Sequence, residues 1–323
     1  HINGLSPMTE NNKYLSIYKA LTYSMREFYR LSGLKKAQVH ISGGLDSAVG
    51  ACLAVEAMGK ENCVFITNPT EFNGEETRGF AQSISDLLGV GLYWNPTGAI
   101  YDKVCVEHRG TFGEDPTPGG KASIQAVSRT VQGLAASHTF GTGIIACGNH
   151  TELVLGWASF HDIGSIGALS LIGDLTKVEV FEFAEWINKH IGVDVIPPAL
   201  FNGESKPAAE LPDSDEDPFD YFVVSGICAE IIRNKKDVQN IIDDFKKKTL
   251  TDEYFPLDWN GKSIYDKLSL VEFEKEVESC FYRSKISVYK AAQSAPVPII
   301  SRISRGFSSR ETLINKYEGR YEF

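Results

Sequence analysis

Two hydroxyls, two glycines and a carboxylate stand together in Ser42-Gly43-Gly44-Leu45-Asp46-Ser47. The run before them, Ala37 to Ile41, is rich in apolar residues, and a helical pattern from Leu45 to Met58 follows at once. A strand, a tight glycine turn and a helix start are therefore expected. Unpaired N–H groups at a helix start, together with the helix dipole, favour oxyanions. Glycine lets the main chain approach a phosphate where a Cβ would collide. The stretch lacks both the lysine of a G-x-x-x-x-G-K-S/T loop and the G-x-G-x-x-G spacing. An ordinary turn capped by Ser or Asp would look alike locally, so the other charged residues must be weighed with it.

Two further places could add charge to the same rim. Cys147-Gly148-Asn149-His150-Thr151-Glu152 again joins an expected strand, Gly143 to Cys147, to a helix, which brings Glu152 towards Asp46. A carboxylate at a helix start is also what the dipole alone would favour. Lys177 follows Gly-Asp-Leu-Thr and opens a helical pattern, Val178 to His190. A cation in a first helical turn is unfavourable, so Lys177 calls for an anionic partner.

The elements that must position these residues alternate. Helical spacing from Asn12 to Leu34 (Leu15, Tyr18, Leu21, Met25, Phe28, Tyr29) ends near Gly33. Cys63 to Thr67 and Val90 to Trp94 read as strands, with a helix Glu75 to Leu88 between them and another at Lys121 to His138. No hairpin signal interrupts the series, which predicts an α/β fold: a doubly wound parallel sheet with helices on both faces. Such sheets bind ligands at the carboxyl ends of their strands. Cys105 to Gly120, with four glycines and two prolines, reads as a flap-like loop, and Pro197 to Pro218 as a second. Within the latter, the acidic run from Asp213 to Asp217 also fits a solvated surface. From Phe219 to Tyr289 helical patterns dominate, and the tail is basic.

The chain has 323 residues, 42% hydrophobic and 23% charged, enough for one large α/β unit: a core of about 12–200 and a helical extension of about 219–323. A net charge of −10 argues against a general nucleic-acid binder. The six cysteines are dispersed with no C-x-x-C, so neither a zinc site nor a disulfide framework is expected, and a reducing cytoplasm fits. No apolar run approaches the roughly 18 residues of a membrane span. His1 to Pro7 show no signal-peptide pattern, and a first residue other than Met reads as a processed end, a tag remnant or part of a longer chain.

Ser-Gly-Gly-x-Asp-Ser resembles the pyrophosphate loop of N-type ATP pyrophosphatases. Across roughly residues 12 to 310 the chain resembles NAD+ synthetases. The resemblance rests on Ser42 to Ser47; Ser123-Ile-Gln-Ala-Val-Ser-Arg129; Gly148-Asn-His-Thr-Glu152; Gly167 to Lys177; and Lys206-Pro-Ala-Ala-Glu-Leu211 with Asp215-Glu-Asp217. The tail from Tyr289 and Lys290 to Phe307 is similar to the glutamine-dependent branch, whose glutaminase domain would precede this chain.

The resemblance implies a Rossmann-like fold of the adenine nucleotide alpha hydrolase type. It also implies a two-step ATP-dependent amidation. The nicotinate carboxylate of deamido-NAD+ attacks the α-phosphorus of ATP, pyrophosphate leaves, and ammonia then displaces AMP from the acyl-adenylate. By the same resemblance, Ser42, Gly43, Gly44, Leu45, Asp46, Ser47, Cys147 and Lys177 hold ATP, with Asp46 and Lys177 catalytic. Asp46 and Glu152 hold Mg2+, and Ser123, Gln125, Arg129, Glu152, Asp162 and Lys290 contact deamido-NAD+. A homodimer is implied, with ammonia supplied free or by a glutaminase domain or subunit; no nucleic acid or membrane partner is expected.

Several positions depart from the family pattern. The family's Gln-Ala-Arg-x-Arg is Gln125-Ala126-Val127-Ser128-Arg129; a threonine is replaced by Cys147, a lysine by His150 and a hydroxyl residue by Ala208. Phe160-His161-Asp162 stands where Tyr-Gly-Asp is usual, so Asp162 is aligned with that aspartate. A lost arginine changes phosphate or carboxylate pairing. ATP use is thus better supported than the acceptor. The alternatives are another N-type ATP pyrophosphatase, such as a GMP synthetase-like or tRNA-thiolating enzyme with a different acceptor, or a nucleotide-binding module needing a separate glutaminase.

Overall fold

The computed structural model describes residues 10–71, 73–157, 161–205 and 217–301. Helix α1 (Glu10–Leu31) leads into strand β1 (Lys36–His40), then α2 (Leu45–Met58), β2 (Cys63–Thr67), α3 (Glu75–Leu88) and β3 (Leu92–Trp94). There follow α4 (Gly98–Phe112), α5 (Pro118–Phe140), β4 (Thr142–Ala146), α6 (His150–Leu155), β5 (Leu169–Ser170) and α7 (Lys177–Ile191). The rest is helical: α8 (Tyr221–Ile232), α9 (Val238–Lys247), α10 (Ile264–Lys267), α11 (Leu270–Ile286) and α12 (Val288–Ala291).

The strands form one sheet in the order β3-β2-β1-β4-β5, with every pairing parallel, as the alternating pattern predicts. Helices cover both faces, which is why β1, β2 and β4 are largely buried and read as apolar runs. The chain order reverses between β1 and β4. The loops leaving their carboxyl ends therefore diverge and leave a crevice between them. Those loops are 41–44, which leads into α2, and 147–149, which leads into α6.

Helix α2 is apolar on nearly every side, from Leu45 and Ala48 to Ala54 and Ala57, because α1, α7 and β1 all pack on it. Burying each large side chain of that helix, such as Leu53, contributes roughly 1.5–3 kcal/mol. At Gly50, an added Cβ would lie 2.7 Å from Cys147 Sγ, so the helix can approach β4 only with glycine there. Helix α8 is buried along its whole length and packs on α6, α7 and α11. One apolar core thus continues from Tyr14 in α1 to Phe281 in α11.

The expected flap between Cys105 and Gly120 is not a flap. Helix α4 runs to Phe112, and α5 begins at Pro118, leaving only 113–117 as loop. Nothing crowds Gly110, so the helix bears only its entropic cost of about 1 kcal/mol. Gly113 takes the left-handed conformation that ends α4, and the Thr117 side chain caps α5 with proline in its first turn. The two-residue strand β5 was not expected from the sequence, because so short a strand carries no period. Of the second expected flap, Pro197 to Pro218, residues 206–216 (Ala208 among them) lie outside the described residues, as do Phe160 and the tail beyond Ser301. Among the described residues no helix is long and apolar enough to cross a membrane.

The N-terminus of α7 is fixed from below. Thr176 and Glu179 form a capping box, and Arg233 of α8 donates to both Glu179 oxygens at 3.0 and 2.7 Å. Burial alone would raise the Glu179 carboxyl, but the Arg233 guanidinium outweighs it and holds it below its usual range. Arg233→Met leaves that carboxylate buried without its partner. The expected loss is about 3–5 kcal/mol, read as a lower urea midpoint with an unchanged slope.

Candidate functional site

Gly43 has φ +88°, and a Cβ there would collide with the Thr77 carbonyl of α3. Glycine is thus required both by backbone conformation and by the close approach of α3. The turn is held by its own hydroxyls. Ser42 Oγ accepts from Gly44 N at 3.1 Å, Ser47 Oγ accepts from Ser42 N at 3.2 Å, and Ser47 Oγ donates to the Gly44 carbonyl at 2.9 Å. Gly44 is the N-cap of α2 and no side chain caps that helix, so its first-turn N–H groups stay open to a ligand.

Across the crevice, Asn149 does two things. Its side-chain oxygen caps α6 by accepting from Glu152 N at 3.1 Å, and its amide donates to Asp46 Oδ1 at 3.3 Å. Glu152 completes the capping box through Asn149 N at 3.3 Å. Its other oxygen lies 3.7 Å from Lys177 Nζ. Lys177 also donates to Asp46 Oδ2, and its ammonium stands 5.5 Å from the Tyr221 ring centre. The lysine that needed an anionic partner therefore has two within the protein. A third carboxylate, Asp217, is fixed by Trp157 Nε1 at 3.0 Å and Tyr221 OH at 2.8 Å. In sequence, Asp215 to Asp217 fall within the resemblance and also fit a solvated surface, without a role for Asp217; Phe219-Asp220-Tyr221 just beyond it was the available signal of this clamp.

These groups border a cavity of about 550 Å³ lined by residues 42–47, Arg78, Arg129, Cys147, Glu152, Asp162, Lys177 and Asp217, among others. Its far wall holds a network that the sequence reading also missed. His40 Nδ1 lies 2.6 Å from Asn68 Oδ1 and its Nε2 lies 2.8 Å from Gln38 Nε2. Since the Gln38 amide must donate, Nε2 accepts and Nδ1 carries the proton. Burial pushes the imidazole down to about 4. Two polar residues, Gln38 and His40, in an otherwise apolar strand were the signal.

The remaining expected contacts separate. Asp162 lines the cavity and accepts from Gly164 N at 2.7 Å. Cys147 lines it too, but its thiol lies against Gly50, and burial pushes it up to about 12. Ser123 is exposed on α5 and Gln125 is buried against Thr70 Oγ1 at 3.4 Å; neither lines the cavity. Lys290 does not line it either; its ammonium donates to the Gly156 carbonyl at 3.0 Å.

Among the described residues no three His, Cys, Asp or Glu side chains form a ready-made metal centre. Asp46 and Glu152 nevertheless suit a hard cation that keeps most of its ligands from water and phosphate. Three carboxylates share one ammonium here. Burial, then the nearby Asp46, pushes the Glu152 carboxyl up to about 8 despite Lys177. That excess of negative charge is what a divalent cation would neutralise.

A family model described as NAD synthase matches residues 17–253. The glutamine-dependent NAD(+) synthetase of Synechocystis is 29% identical over 244 residues, covering 73% of this chain and 42% of that protein. That of Xanthomonas campestris is 25% identical and covers 94% of this chain and 50% of that protein. The chain thus spans about half the length of these curated relatives. A glutamine-dependent NAD(+) synthetase structure from Cytophaga hutchinsonii superposes with a TM-score of 0.68 at 15% identity, covering 93% of this chain and 55% of that one. An NMN synthetase from Francisella tularensis gives 0.60 at 16%, covering 84% and 95%. At these identities the superpositions speak for the fold.

The raised Glu152 carboxyl sets a pH dependence. The folded protein binds this proton between pH 4.5 and about 8, where the unfolded chain does not. Stability from this group is full below pH 4.5 and is lost as pH rises through about 8. Melting curves in metal-free buffer should fall more steeply from pH 5 to 8 for the parent than for Glu152→Gln. Equal slopes would remove the assignment.

Proposed function

Because the chain belongs to the NAD synthase family, we propose that it amidates deamido-NAD+ to NAD+ with ATP and ammonia, releasing AMP and pyrophosphate. One observation carries the reading. The Ser42–Ser47 turn, with an uncapped helix start behind it, opens at the strand-order reversal onto Asp46, Lys177 and Glu152.

The chemistry asks two things of these residues. A carboxylate resists ammonia until one oxygen becomes a good leaving group, and adenylation makes it one. The carboxylate oxygen bonds to the α-phosphorus as the bond to pyrophosphate breaks. Ammonia then attacks the acyl carbon, AMP departs, and the surplus proton passes to water. The first step builds negative charge on the departing pyrophosphate. The first-turn N–H groups of α2 and the hydroxyl of Ser42 meet that charge, in a turn whose shape Ser47 fixes through the Gly44 carbonyl. Lys177 stays charged because Asp46 and Glu152 outweigh the burial that would discharge it. Asp46 and Glu152 would hold Mg2+, which when bound supplies charge neutralisation to the phosphates. Arg129 and Asp162, both on the cavity wall, serve the acceptor in this reading.

A second acceptor is favoured by one observation. Ser123, Gln125 and Lys290, expected at the dinucleotide, do not line the cavity, and Val127 replaces an expected arginine. A nicotinate mononucleotide needs fewer contacts, and the Francisella tularensis protein that shares the fold is an NMN synthetase. The nitrogen donor, free ammonia or a glutaminase domain or subunit, and a homodimeric assembly belong to the same proposal.

The test is pyrophosphate release from ATP and Mg2+ with each acceptor, supplying ammonium and glutamine in separate runs. Deamido-NAD+ with ammonium is expected to give one pyrophosphate per NAD+. Asp46→Asn should lower kcat by roughly a hundredfold or more. Absence of product with deamido-NAD+ would sink the reading, and product only from the mononucleotide would replace it with the second.

A further inference from the structure

Lys177 is engaged by two carboxylates, so the positive charge open to an incoming polyanion must come mainly from elsewhere. Two guanidinium groups line the same cavity, Arg78 from α3 and Arg129 from α5. Each has a buried Nε with no hydrogen-bond partner among the described residues. A buried donor left unmade is costly, and a ligand oxygen relieves that cost.

Arg78 lies beside the phosphate turn. It directly follows Thr77, the residue whose carbonyl forbids a Cβ at Gly43, so the first turn of α3 packs on the glycines. Its Nη2 donates to the Thr70 carbonyl at 2.7 Å, which orients the guanidinium and leaves other donors over. Thr70 is also where the α5 side reaches across, since Gln125 donates to its hydroxyl at 3.4 Å. Arg129 stands one helical turn beyond Gln125. The two arginines thus come from opposite sides of one loop, and Arg78 belongs to the helical turn that packs on Gly43.

We infer that Arg78 is a phosphate ligand for ATP, supplied from the turn of α3 that packs on Gly43. The inference rests on the ATP reading above. A planar guanidinium can bind two phosphate oxygens at once and stays charged at every working pH. The identity of the acceptor does not enter, because the contact is made to the nucleotide held by the turn.

The experiment separates ATP binding from turnover. Equilibrium binding of ATP with Mg2+ is measured by calorimetry for the parent, Arg78→Gln, Arg78→Lys and Arg129→Gln. KM values for ATP and acceptor follow wherever turnover is seen. Arg78→Gln is expected to weaken ATP about tenfold to a hundredfold, the size of a lost charged hydrogen bond, and to leave the acceptor KM unchanged. Arg129→Gln is expected to keep ATP affinity. If Arg78→Gln melts early, Arg78→Lys carries the test, because it keeps the charge but loses the fork. It should weaken ATP about fivefold. ATP affinity within about twofold of the parent in the folded variant overturns the inference, as does an effect confined to the acceptor KM. A parent that binds ATP but forms no amide refutes the proposed reaction, and the binding comparison still decides Arg78. A parent that binds no ATP overturns both.

Discussion

A buried ammonium between two carboxylates is the constraint from which this structure can be understood. Lys177 comes from the start of α7, Asp46 from the first turn of α2 and Glu152 from the first turn of α6. Three helices therefore meet through their N-terminal ends, an arrangement that neither hydrophobic burial nor the helix dipole alone would choose for the lysine. The pairing need not add net stability, since desolvating the charges offsets much of their attraction. Its effect is positional. Loss of any one partner would leave the others charged in a place with little water, so the three ends must stay in register. Arg233 extends the same logic one layer down, by holding Glu179 and with it the cap that precedes Lys177.

Much of the fold could be read from the order of apolar runs and glycine turns, because parallel strands buried on both faces leave continuous apolar signals. Beyond Cys105 the glycines and prolines suggest a loop, yet Gly110 is merely tolerated within a helix, and Pro118 begins one. Composition alone does not distinguish a glycine that ends a helix from one inside it; the left-handed Gly113 does. Strand β5 was invisible because two residues have no period.

At the site, the legible part was the part made of backbone. Ser42 to Ser47 is local, and its glycines have one evident steric use. The contacts attributed to distant helices were less legible: Lys290 turns to a carbonyl at the end of α6, Cys147 turns to Gly50, and Ser123 faces outward. Asp217 and His40 are held by partners far away in sequence, Trp157 and Asn68, and no spacing rule announces those contacts or that of Arg78. Only Asp217 belongs to one of the recognised stretches, yet each of the three lines the cavity.

The imidazole of His40 has a wider consequence. Locked between Gln38 and Asn68, it remains uncharged across the range in which a free histidine titrates. The same network reaches Gln132 and Gly133 of α5 through Asn68 and Gln38. That part of the crevice wall is thereby tied to the sheet by uncharged hydrogen-bonding groups. Acidification through that range would leave the proton count of this network unchanged, so the wall it ties to the sheet keeps one shape as the surroundings change.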